Sequence, residues 1–381
     1  MVKERFDVAV IGGGIAGASV AAELSKDRRV LLLEMENQPG YHTTGRSAAV
    51  FAAVYGPSPI RALTRASRAF FANAPEAYFE STLFRSRPIM MICRKEQEPV
   101  LDRTIAQVGV MTPVERINEA AIRKLNPMVK TGYASAAMLD MSGEDIDVSS
   151  LHQGYLRQFR AFGGDLRCNA SVLGLVRRDK GWQLETEAGE FTADTIVNAA
   201  GAWAEHIGHL ARAEPIGLVP KRRTAAIVEG PNELPPDVLT SMPITIDIEE
   251  NFYLKPDAGR LLISPADETP SPACDAQPEE MDIALCVERI ENAFDLRVQR
   301  IESKWAGLRS FVADKCPVVG YSSVAPSFFW LAGQGGYGIQ TAPALARLAA
   351  SQVLRKPMPS DIAAEGIDLS EIDPSRLIGR G

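Results

Sequence analysis

Histidine and cysteine are scarce in this chain, with four and five residues respectively among 381. No histidine stands at metal-ligand spacing from another, so no metal centre is expected. The cysteines (Cys93, Cys168, Cys274, Cys286 and Cys316) are odd in number, scattered and free of any C-x-x-C pair. That pattern excludes a zinc site and a disulfide framework, and reads as reduced thiols of a cytoplasmic protein. No run of about 18 uninterrupted apolar residues occurs, so no transmembrane segment is expected. The N-terminal MVKERFDVAVIGGG enters a strand at once, without the apolar stretch and cleavage site of a secretory signal. Basic runs are missing too, and 41 basic against 48 acidic residues leave a formal charge of −7. No nucleic-acid partner is expected from such a surface.

What remains is an ordinary globular composition, 46% apolar and 23% charged, in a chain too long for one simple core. Two domains are therefore expected. FDVAVI (6–11) reads as a buried strand, IAGASVAAELS (15–25) as a helix and RVLLLE (29–34) as a second strand ending in an acid. RPIMMIC suggests another strand, and EAAIRKLNP a short helix ended by Pro127. Residues 145–164 return to helical spacing, with Ser149 or Ser150 as the start and Gly163-Gly164 as the stop. Residues 165–203 alternate strand and turn, with DKG and EAG as hairpin punctuation. PIGLVPKRRTAAIVEG and MPITIDIEENFYLKPDAGRLLIS read as longer strands of a second sheet, the alternation of Ile244, Ile246 and Ile248 making one face apolar. Residues 266–281 read as a loop before a helix. FFWLAG, a glycine-rich turn and a helix over 341–354 complete the chain.

Gly12-x-Gly14-x-x-Gly17 lies between the first strand and helix, and Glu34 follows Gly14 by 20 residues. Gly12 permits a tight turn, Gly14 lets backbone approach a pyrophosphate, and Gly17 lets helix and strand pack closely. The helix N-terminus faces the phosphates, and Glu34 can accept both hydroxyls of an adenosine ribose. The spacing therefore predicts dinucleotide binding. A second small-residue turn closes IVNAAGAWA, and a third, GQGGYGIQTAPA (333–344), offers backbone N–H groups to a negatively polarised ring edge. A cofactor touched by both chain ends points to FAD. The expected fold is α/β (mixed α+β). A Rossmann-like FAD-binding domain takes 1–84, 145–212 and 305–381. A substrate-binding domain on a mixed or antiparallel β-sheet takes 85–144 and 213–304.

Several blocks then carry a resemblance: VIGGGIAGAS, QPGYHTTGRSAA, RALTRASRAFF, LHQGYLR, VNAAGAW, PKRR, FYLKPDAG, WAGLRSFVAD and GQGGYGIQT. The sequence resembles the glycine oxidase / D-amino acid oxidase family of flavoenzymes, and within it the bacterial D-arginine dehydrogenases. Residues 85–140 match poorly. The resemblance implies that Gly45-Arg46-Ser47-Ala48-Ala49 lies against the flavin and pyrophosphate, small residues letting amides reach the ring. Arg46 would neutralise phosphate charge and Ser47 would donate a hydrogen bond. It also assigns to the cofactor Ile15, Ala16, Val172, Ala200, Gly201, Trp203, Gly307, and the turn Gly335, Gly336, Tyr337, Gly338, Ile339 and Gln340. Some flavoenzyme relatives tether the ring through a cysteine near the position of Arg309. Cys316 lies several residues beyond, so noncovalent FAD is expected.

On the substrate side the resemblance implies that Arg223, preferred over Arg222, and Arg309 grip an α-carboxylate, a planar guanidinium meeting it bidentately. Tyr253 would bond the carboxylate or amine, Tyr55 would form a lid, and Gly336 and Gln340 would surround the amine. Two departures stand out. Val50 replaces a histidine, and Ile89 replaces the acid that grips a cationic side chain. With Ile244 and Ile246 they suggest an apolar pocket, in which an unpaired cationic tail would cost several kcal/mol. The expected activity is oxidative deamination of uncharged D-amino acids, reduced cofactor passing electrons to oxygen or a quinone-type acceptor. Oxidation of a secondary amine such as proline or sarcosine, and a flavoprotein without turnover, remain alternatives.

Overall fold

The computed structural model describes residues 4–79, 82–231 and 233–378. Its first sheet begins with the expected strand–helix–strand unit: Glu4–Ile11, the helix Ile15–Leu24 and Val30–Leu33. The two strands are parallel, and Asp165–Arg167 continues the sheet beyond Val30–Leu33. On its other side Glu4–Ile11 pairs in parallel with Gly189–Asn198, whose C-terminal half pairs in parallel with Phe328–Ala332. Burial on both faces explains why these strands read as unbroken apolar runs. Val172–Arg178 and Gly181–Thr186 add an antiparallel meander whose turns carry Gly181 and Gly189 at positive φ. The helices Ile15–Leu24, Val148–Ala161 and Gly338–Val353 share one core with this sheet.

The second sheet is mixed. Ile89–Cys93 pairs antiparallel with Ala136–Asp140 but parallel with Ile244–Asp247. The ladder continues through Tyr253–Asp257 and Arg260–Ser264 to Val219–Val228, which also pairs along its length with Ile301–Phe311. A small third sheet joins Val50–Phe51, Glu144–Ile146 and Phe84–Ser86.

Three local expectations change. The helix at 145–164 spans Val148–Ala161 and is capped by the Asp147 carboxylate, which accepts the Ser150 N–H at 2.8 Å, not by either serine. Asp147 wins because an ionised acceptor at a helix N-terminus also meets the dipole. Residues 244–264 form three short strands, broken by a turn with Glu250 at φ +59° and by the Ala258-Gly259 hairpin. The last helix begins at Gly338, before the expected 341, and carries Pro343 in its second turn. The helices Ser58–Ala72 and Glu98–Val108 were not anticipated as elements.

Candidate active site

A cavity of about 390 Å³ runs from the glycine turn after Glu4–Ile11 to the second sheet. At its first end, Gly12 has φ +106°, and a Cβ there would overlap the Ala199 carbonyl. A Cβ on Gly17 would overlap the Gly12 carbonyl, so turn and helix close only with both glycines. Glu34 is buried, which raises its carboxyl above the usual range, although it accepts the N–H groups of Gly13 (2.8 Å) and Glu36 (2.9 Å). The Ile15 N–H is already taken by the Thr44 hydroxyl at 3.0 Å. Ile15 therefore faces the cavity without a free amide of its own.

Segment 42–52 crosses from this end to the other, strapped to Ile301–Phe311: the Thr43 hydroxyl donates to the Leu308 carbonyl at 2.7 Å, and the Trp305 indole to the Arg46 carbonyl at 2.9 Å. Arg46 lines the cavity and has a partner that the sequence did not announce. Its guanidinium pairs with Asp275 and donates to the carbonyls of Ala276 and Ala306, so its charge is met by a carboxylate of the chain itself. Ser47, Ala48 and Ala49 line the cavity as bare backbone and small side chains. The Gln340 side-chain oxygen accepts the Ala52 N–H at 2.9 Å, while its buried amide nitrogen has no partner. The helix Gly338–Val353 presents its N-terminus here, through Gly338, Ile339 and Gln340.

At the far end the antiparallel ladder decides between the two candidate arginines. Arg223 opposes Gly307 and Lys221 opposes Arg309, so Arg223 and Arg309 share a face. Arg222 points the other way, into Glu279 and Asp282. Arg223 donates to the Asp267 carbonyl at 2.9 Å; burial, then the charge of Arg309, holds its pKa below the ordinary value. Arg309 packs against Gly336, and its guanidinium has no hydrogen bond or ion pair among the described residues. Burial opposes its charge, yet Tyr55, Tyr253, Tyr337 and Glu250 together keep its pKa raised. The Tyr55 hydroxyl donates to Glu250 at 2.6 Å, and burial followed by that carboxylate pushes Tyr55 well above the ordinary range.

Opposite this charged pole stands an apolar wall set by strand register. Ile89 opposes Ile244, Met91 opposes Ile246, and Ile246 also opposes Tyr253, so these side chains share one face. Val50 and Val54 join them from the crossing segment. The cavity thus brings together every expected substrate-side residue: Arg223, Arg309, Tyr55, Tyr253, Val50, Ile89, Ile244, Ile246, Gly336 and Gln340. It also reaches Ala16, Val172, Ala200, Gly201, Trp203, Gly307 and Gly335. Gly17 lies behind the turn it permits. Tyr337 is a correction: it is outside the lining, its ring packed on Tyr55 and Phe311, and burial pushes its hydroxyl up to about 12. Cys316 is buried away from the lining.

Thr44, Met91 and Glu250 were missed. Alternation with Ile89 is the signal that would have found Met91; nothing in TTGR or IEEN marks the other two.

The residues fit FAD. Two helix N-termini open on the cavity, the glycine turn lining it closes only without Cβ atoms, and Gln340 keeps an unpaired donor. Among the described residues no His, Cys, Asp or Glu group is arranged to hold a metal, and no helix is long and apolar enough to cross a membrane. The FAD dependent oxidoreductase (DAO) family model matches residues 7–352. Glycine oxidase of Geobacillus kaustophilus is 24% identical over 369 residues, covering 94% of this chain and 96% of that protein. Its crystal structure superposes with a TM-score of 0.83 at 22% identity, covering 99% of this chain and 100% of the other. Human mitochondrial dimethylglycine dehydrogenase is 24% identical over 396 residues, 98% of this chain but 44% of that protein. The chain belongs to the FAD-dependent oxidoreductase family, and FAD is its cofactor.

Proposed function

We propose that this flavoenzyme oxidises the Cα–N bond of free amino acids, preferring D-amino acids with uncharged side chains. When bound, FAD would supply the two-electron acceptor for the hydride lost from the substrate Cα. The amine gives up a proton, and water converts the imino acid to a 2-oxo acid and ammonia. The electrons then pass to oxygen or a quinone-type acceptor, and the scattered free cysteines favour a cytoplasmic setting.

Arg309 carries this reading. It is a half-buried guanidinium without a carboxylate of its own, beside Arg223 and ringed by tyrosines. It would take the α-carboxylate, with Arg223 as second donor and Tyr253 beside it, fixing the direction of the Cα–H. Tyr55, hydrogen-bonded to Glu250, would close the pocket over the substrate. The side chain would lie on Val50, Ile89, Ile244 and Ile246, where a cationic tail would lose its water without gaining a partner. Glu250 does not change this, because its carboxylate is engaged by Tyr55 and stands near Arg309. Gly12, Gly14, Ala16, Glu34, Ser47, Ala48, Ala49, Val172, Ala200, Gly201, Trp203, Gly335, Gly336, Gly338, Ile339 and Gln340 would hold FAD. We assign 1–84, 145–212 and 305–381 to the cofactor domain, and 85–144 with 213–304 to the substrate domain, with the strand Ile301–Phe311 of the second sheet running across the boundary.

The test is a comparison of kcat/KM. D-Leucine and D-methionine are expected to exceed D-arginine, and the reverse order would remove the apolar-pocket claim. A second reading, oxidation of N-alkyl amino acids, is supported by the similarity to dimethylglycine dehydrogenase and needs the same carboxylate clamp. Higher kcat/KM for N-methyl than for primary amino acids would favour it.

A further inference from the structure

His152 belongs to no role described so far, yet it touches the nucleotide turn directly. It lies on the helix Val148–Ala161, 139 residues from Gly13 in sequence, and is 4% exposed. Its Nε2 is 2.8 Å from the Gly13 carbonyl oxygen. A carbonyl only accepts, so Nε2 carries the proton and donates. The N–H of the same residue is held at 2.8 Å by Glu34. The peptide groups flanking Gly13 are therefore pinned from opposite sides by two side chains distant in sequence.

The imidazole also braces a second segment. Gly40 has φ +81°, and a Cβ there would lie 2.8 Å from the His152 Cε1. The Gly40 carbonyl in turn accepts the Gly45 N–H at 2.8 Å, at the start of the small-residue stretch lining the cavity. One ring thus sets the separation between the glycine turn and the 40–47 loop.

We propose that His152 is a positioning residue for the dinucleotide: its Nε2–H holds the Gly12–Gly14 turn in the conformation that admits a diphosphate. The inference rests on the reading that this turn holds FAD. An unpinned turn would have to be ordered by the cofactor, and that cost would appear as weaker binding. Chemistry at the other end of the cavity would be untouched.

Apoprotein prepared from the parent, His152→Phe and His152→Gln is titrated with FAD, following flavin fluorescence. Phenylalanine keeps a flat ring against Gly40 and removes the donor; glutamine restores an N–H donor. The FAD Kd is expected to rise about tenfold in His152→Phe and to recover in His152→Gln, as for one buried hydrogen bond. The kcat at saturating FAD should stay near the parent value. Where His152→Phe fails to fold, His152→Leu serves as the donor-free variant. Parent-like affinity in the donor-free variant, or no recovery with glutamine, would overturn the proposal. Failure of parent apoprotein to bind FAD would remove the cofactor-site reading beneath it.

Discussion

The two ends of the cavity are built on opposite principles. The end assigned to the nucleotide is made largely of backbone, from one strand–helix–strand unit, and works by what Gly12 and Gly17 leave out. The end assigned to the substrate is made of side chains carried by strands remote in sequence: Ile89, Arg223, Ile244, Tyr253 and Arg309. A backbone cradle has little to vary, because any Cβ would collide. A wall of side chains can be changed one residue at a time. On the proposed reading the first end would fix the cofactor, and the second would select what is oxidised.

The largest expected effect separates the two ends outright. Arg309→Met keeps a long apolar stem and removes the cavity-lining guanidinium that has no hydrogen bond or ion pair among the described residues. It should lower kcat/KM for D-leucine by about 10²–10³-fold while FAD stays bound, from lost charge-assisted bonds and orientation. Arg222→Met is the matched control. It leaves Asp282 without its buried cation, so Tm should fall while kcat/KM of the folded enzyme stays within a few-fold of the parent. Steady-state kinetics beside thermal unfolding of both variants checks the pair, and equal kinetic losses would erase the distinction drawn from the ladder.

A smaller effect tests the wall. Ile246→Ala opens space on the apolar face without emptying the deep core, since Ile246 is half-buried and lines the cavity. The preference for D-leucine over D-alanine should fall about tenfold, the scale of lost methylene contacts in a pocket. An unchanged ratio would mean that the side chain lies elsewhere.

The smallest effect concerns pH at the nucleotide end. Burial holds His152 below its ordinary value of 6.5. Above that pH the ring is neutral in both folded and unfolded states. Below it the unfolded chain takes the proton first, so stability is lost as pH falls. Between about pH 7.5 and about pH 5.5 the parent apoprotein Tm should drop more than that of His152→Phe, by on the order of 1–3 °C. Parallel curves would contradict the neutral donor.

The same division explains what could be read in advance. The glycine fingerprint and Glu34 lie within 23 residues, Gly12 to Glu34, so local spacing alone located that end. Arg223 and Arg309 are 86 positions apart, and only the resemblance suggested them together. The ladder then supplied the physical reason for Arg223 over Arg222. The partner of Arg46, Asp275, could not be foreseen because it arrives from a loop 229 residues away. Thr44 and His152 act on the nucleotide turn from outside the local motif, and Glu250 depends on a left-handed turn that IEEN does not announce. In each case the missing information was a long-range contact.

The central claim is that the guanidinium pole holds an amino acid by its carboxylate while the apolar wall takes its side chain. Anaerobic addition of D-leucine, L-leucine, N-methyl-leucine and D-arginine to the yellow holoprotein, followed by flavin absorbance, tests it directly. The account predicts rapid bleaching by D-leucine and slow or no bleaching by the others. Bleaching by D-arginine ahead of D-leucine, or by none of the four, would contradict it.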